Sequence, residues 1–103
     1  MDYKHQKNYL ENQVFPEVRI AIIALRDDKK VIKGHYLNTA VVSDFIINNS
    51  ASFPHLGSKG ISHVHEGIGT FIMKKANGKP YNNRARTYGG RTYYIPRGVE
   101  SIV

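Results

Sequence analysis

Apolar positions arrive in short bursts along this chain, and their spacing predicts most of its elements. Residues 2–13 are polar, with Tyr3, Lys7 and Leu10 at helical spacing, which predicts a short amphipathic helix or a partly ordered arm ended by Phe15-Pro16. Val18 to Leu25 is β-branched and apolar on both faces after Arg19, the pattern of a central strand buried on two sides. Asp27-Asp28-Lys29-Lys30 reads as a polar turn, and Val31 to Leu37 as the returning strand of a hairpin. In Ala40–Asn49 the apolar positions 41, 42, 45 and 46 favour a helix capped by Asn38 or Thr39, while the β-branched content leaves a strand open.

Ser50 to Gly60 is a loop by composition. Beyond it, Ile61–His65 reads as a short strand, Glu66–Gly69 as a turn and Thr70–Lys75 as the return strand. Asn77-Gly78 is a further turn signal, and Pro80 with Asn82-Asn83 makes the next stretch irregular. Arg84–Tyr88 and Arg91–Ile95 form a ribbon that closes before Pro96. The predicted fold is α+β: a small single domain over residues 1–103, mostly antiparallel β-hairpins with about five to seven strands and one or two short helices.

Charge changes this picture more than composition does. The chain has 103 residues, 41% of them hydrophobic, enough for one modest core. The formal net charge is +7. The whole excess lies between Gly67 and Val99, a segment with seven basic residues and no acid, while the remainder balances. A concentrated basic segment points to a polyanionic partner, where scattered charge would serve solubility. The longest apolar run, Ile20 to Leu25, is far too short for a bilayer span, so no membrane is expected. The opening residues lack the apolar stretch of a signal peptide, and cysteine is absent, a pattern consistent with a cytoplasmic protein.

Inside the basic segment, Arg86-Thr87-Tyr88 and Arg91-Thr92-Tyr93 flank Gly89-Gly90. A two-residue Gly-Gly turn places Tyr88 opposite Arg91, Arg86 opposite Tyr93 and Arg84 opposite Ile95. Arg84, Arg86, Tyr88, Arg91 and Tyr93 then share one face, with Ala85, Thr87, Thr92 and Tyr94 on the other. Arginine forks match phosphate oxygens and tyrosine rings stack on unpaired bases, so this face predicts binding of RNA or single-stranded DNA. Lys74, Lys75, Lys79 and Arg97 would add contacts to the nucleic-acid backbone. Two plainer readings compete: arginines and tyrosines satisfying one another across the ribbon, or tyrosines in the core with arginines at its edge. A basic face docked on an acidic protein partner, as in an inhibitor, is a further alternative.

His63-Val64-His65 is the other candidate. On a strand the two imidazoles lie side by side. Such a pair suits acid–base cleavage of RNA without metal, one histidine taking the 2′-OH proton and the other protonating the leaving oxygen. Metal binding would need a third ligand from His35, Asp44 or His55, and neither HExxH nor Cys/His spacing is present, so no metal or cofactor is expected. Two exposed strand histidines beside a turn are the plain alternative. The loop His55–Gly60 is flexible and carries a hydroxyl and a lysine, yet lacks the P-loop pattern. Ser43 and Asp44 have no readable triad partner. No motif marks a known family; in composition the chain is similar to small basic proteins of phages or mobile elements.

Overall fold

Val64, Ile68, Phe71 and Ile72 recur at intervals of four, three and one residues, and all four are buried. That is one stripe of a helix, and Ile61–Lys75 forms a single helix, α3, around which the core assembles. The computed structural model describes residues 7–81 and 91–102. It contains three α-helices, α1 (Phe15–Ala24), α2 (Thr39–Asn48) and α3, with one antiparallel sheet. The sheet strands are β1 (Ile32–Lys33), β2 (Tyr36–Asn38), β3 (Lys79–Pro80) and β4 (Thr92–Tyr94), in the order β1-β2-β4-β3.

The class is α+β, but the expected five to seven strands are corrected to four among the described residues. Two segments read as strands are helices. Val18–Leu25 lies mostly in α1, whose buried positions Phe15, Val18, Ala21 and Ile22 follow helical spacing. The exposed Ile20, 56% accessible, made the segment look apolar on both faces. The expected hairpin over Ile61–Lys75 is α3, whose interior glycines were read as a turn. A glycine inside a helix costs about 1 kcal/mol relative to alanine, and Gly69 has a packing reason for its place. A Cβ there would run into the hydroxyl of Tyr93, which rests against the helix backbone.

Pro16 does not end the first helix. Residues 7–9 are helical, Leu10–Val14 forms a π-turn, and α1 follows directly. Phe15 N–H reaches back to Leu10 O, five residues away. Proline has no N–H and its ring clashes with the carbonyl four residues earlier. The wide turn lets the chain pass Pro16 without that clash.

Val31–Leu37 pairs with itself, not with residues 18–25. Ile32 faces Leu37 and Lys33 faces Tyr36 across the loop Gly34-His35. Gly34 has φ 62°, the positive value that the first loop position of a II′ hairpin requires. The segment 40–49 is a helix, and Asn38 caps it by accepting from Ala40 N–H at 2.8 Å. Glu17, buried in α1, receives the N–H groups of His55 (2.9 Å) and Leu56 (2.8 Å) and ties the 50–60 loop to the helices.

The sheet lays Leu37 and Tyr93 on this core, with Ile95 just beyond β4. Tyr93 has Leu37 on one side and Pro80 on the other. The partner expected for it, Arg86, belongs to the Gly-Gly ribbon of residues 84–90, which lies outside the described residues. Replacing Gly69 with Ala tests the seating of Tyr93. Helix propensity alone favours alanine by about 1 kcal/mol, yet overpacking makes Gly69→Ala about 1–3 kcal/mol less stable in urea unfolding. Adding Tyr93→Phe removes the hydroxyl that a Cβ would meet, so the double variant is expected to lose less than the sum of the two singles by at least about 0.5 kcal/mol.

Candidate functional site

With Tyr93 turned inward, strand alternation turns Thr92 and Tyr94 outward. The register carries the same choice across the sheet. Lys33 faces Tyr36, Tyr36 faces Tyr94, and Tyr94 faces Lys79. One row on the outer face therefore reads Lys33–Tyr36–Tyr94–Lys79, one residue from each of the four strands.

The two tyrosine rings lie 5.5 Å apart, and Tyr81 adds a third ring edge-on to Tyr36 at 4.8 Å. Tyr81 N–H donates to Thr92 O at 2.7 Å, which holds the chain after β3 against β4. Tyr81 is 63% exposed and Tyr36 38%, while Tyr94 is half-buried by its neighbours. His35 closes one end, its ring 6.0 Å from Tyr94 and its Nδ1 3.0 Å from Ile95 O. Three aromatic rings, tilted against one another and flanked in the row by two lysines, make an aromatic, positively charged surface.

The residues expected to bind nucleic acid are distributed differently. Lys79 stands on this outer face. Tyr93 is 4% exposed and belongs to the core, the plainer of the readings for it. Arg91 is half-buried, with its N–H donated to Thr39 Oγ1 at 2.7 Å and its carbonyl accepting from Thr39 N–H at 3.1 Å. Lys75 pairs with Glu11 at 2.8 Å and lies 5.6 Å from the Phe15 ring centre, Lys74 is exposed on α3, and Arg97 is exposed in the turn after β4. Arg84, Arg86 and Tyr88 lie outside the described residues. The sequence reading missed Lys33, Tyr36, Tyr81 and Tyr94. The alternation of Val31–Leu37 around Gly34-His35 was the signal that would have found the first two.

His63 and His65 sit on α3, where residues two apart point about 200° from each other. The side-by-side imidazoles expected of a strand do not form. His63 is exposed, whereas His65 turns toward α2 and lies with its Nε2 2.8 Å from Ser43 Oγ. Ser43 gives its own proton to Ala40 O at 2.8 Å, so its oxygen accepts from His65 Nε2–H. A base that activates a serine must accept that proton, and Ser43 is 0% exposed. This pair joins two helices, with Ser43 fully buried between them.

Two backbone N–H groups of the 55–60 loop are given to Glu17 and do not face an incoming anion. Among the described residues no three His, Cys, Asp or Glu side chains converge to hold a metal ion, and no helix is long and apolar enough to cross a membrane. Comparison of the chain with protein-family models, curated proteins and solved structures finds no match.

Burial holds the His65 pKa below its ordinary 6.5, with the charge of nearby Asp44 pulling weakly upward. In the unfolded chain His65 takes up its proton first, so its contribution to stability is present above about pH 6.5 and is lost as pH falls through the lower folded-state value. The urea midpoint is expected to fall between about pH 7.5 and 5.5, and to fall less in His65→Gln. Equal pH dependence in the two proteins would show that His65 does not carry it.

Proposed function

We propose that this protein binds single-stranded nucleic acid, RNA or single-stranded DNA, on the outer face of its sheet. The observation that carries this reading is the row Lys33–Tyr36–Tyr94–Lys79. Unpaired bases stack on tyrosine rings irrespective of sequence, each stack contributing about 1–3 kcal/mol. Lysines on either side of the rings supply the phosphate contacts that such stacking needs. An open sheet suits single strands, because bases already unpaired can lie flat against it.

The basic bias of the last third of the chain supports the same reading. Lys79 stands in the row itself, and the span between Tyr81 and Arg91 carries Arg84, Arg86 and Tyr88. The residues that would do the work are therefore Tyr36, Tyr94 and Tyr81 for stacking, with Lys33 and Lys79 for phosphate. Tyr93, expected to share this role, supports it from beneath by fixing the register.

Fluorescence anisotropy with labelled single-stranded decamers of uridine and thymidine tests the proposal. Tyr36→Ala and Tyr94→Ala are each expected to weaken binding about tenfold, while Tyr93→Phe leaves it unchanged. Lys33→Ala with Lys79→Ala is expected to lower the slope of log affinity against log salt by about 1.4, two single-strand phosphate contacts. Affinity that ignores Tyr36 and Tyr94, or that favours duplex over single strand, would overturn it.

A further inference from the structure

A cavity of about 570 Å³ lies between the helical residues 7–14 and α3. That volume suits a small organic molecule. From α3 come His63, Glu66, Gly67, Thr70 and Lys74, which recur every few residues along one face of the helix. Gly69, which receives Tyr93, is on another face, so this site is separate from the outer surface of the sheet. The facing wall is Leu10 and Val14 with Lys7 and Tyr9, and the loop supplies Leu56 and Lys59.

The cavity has a built apolar floor. Val14 and Leu56 are buried core residues, and Leu10 packs against them. The loop wall is fixed at two points: Glu17 holds the Leu56 N–H, and Lys59 N–H donates to Leu56 O at 3.0 Å. Around this floor stand Lys7, Lys59 and Lys74, brought from three separate parts of the chain, against one carboxylate, Glu66. Among the described residues none of these three ammonium groups lies within 4 Å of a carboxylate; the described ion pair is Lys75–Glu11. Three positive charges against one negative give the rim of an apolar cavity a potential that attracts an anion.

We infer that this cavity binds a small anionic amphiphile. The carboxylate or phosphate head sits at the rim that Lys7, Lys59 and Lys74 make basic, and the apolar body lies on Leu10, Val14 and Leu56. This site goes beyond the proposed nucleic-acid surface and uses none of its residues.

Isothermal titration of the full chain with dodecanoate and dodecyl phosphate, each below its micellar concentration, tests this. Dodecanol and dodecyltrimethylammonium serve as neutral and cationic controls. One-to-one saturable binding of at least one anion is expected, with both controls about tenfold weaker or worse. Lys59→Glu with Lys74→Glu, both at exposed positions, is expected to weaken the anion about tenfold with the circular-dichroism spectrum unchanged. Tyr36→Ala with Tyr94→Ala leaves anion binding intact, which separates this site from the sheet. Equal binding of charged and neutral chains, affinity indifferent to the double charge reversal, or no binding of either anion would overturn the inference. So would binding confined to phosphatidylglycerol vesicles with none of the monomer, an outcome that assigns the lysines to a membrane surface instead.

Discussion

The seating of Tyr93 on the α3 backbone at Gly69 decides the arrangement of everything attached to the sheet. A strand has only two faces, and a slip of one residue exchanges them. With Tyr93 inward, Leu37 beside it faces inward as well, and Tyr36, Tyr94, Lys33 and Lys79 are placed outside. The contact needs a helix residue without a side chain at one position. In return the sheet gains a large, rigid anchor that cannot shift along the helix without meeting a Cβ. A packing contact in the core thus determines which polar and aromatic groups meet solvent.

Buried polar groups do a related job elsewhere. Glu17 spends both carboxylate oxygens on consecutive backbone N–H groups of the 50–60 loop, and charge-assisted bonds of this kind contribute about 1.5–3 kcal/mol each. Ser43 and His65 link α2 to α3, and Thr39 exchanges two bonds with Arg91 where α2 leaves the sheet. Each connects segments far apart in sequence. Histidine, serine and glutamate are the residues one searches for catalysis, yet in this molecule three of them serve cohesion and leave the outer surfaces to lysine and tyrosine.

The sequence showed its local features more clearly than its long-range ones. The α2 helix and its Asn38 cap were readable because spacing and capping chemistry act within a few residues. Asn77-Gly78 was readable for the same reason, and Asn77 takes φ 52°. Residues 18–25 misled because Ile20 is apolar and exposed, which masks helical periodicity. Residues 61–75 misled because glycine usually breaks a helix, and the compensating contact comes from Tyr93, far along the chain. The sheet face was assigned from the Gly-Gly turn. The neighbours of β4 are β2 and β3, and nothing local records that pairing. Charge was the exception: the basic segment was evident by counting, although several of its lysines and arginines lie away from the sheet's outer face.

The strand order has a consequence for assembly. In β1-β2-β4-β3 the latest of the described strands in sequence occupies an interior place, between two that precede it in the chain. Until Thr92–Tyr94 docks, β2 and β3 have an empty lane between them, each with unpaired backbone toward it. Helices α1, α2 and α3 all precede β4 in the chain and pack on one another. The sheet closes only when Thr92–Tyr94 slides into the gap, satisfying both open edges in one step. Without β4 the sheet reduces to the β1–β2 hairpin and a separate β3, each with an unpaired margin. The tyrosine row, with one ring on β4, is complete only when the sheet is.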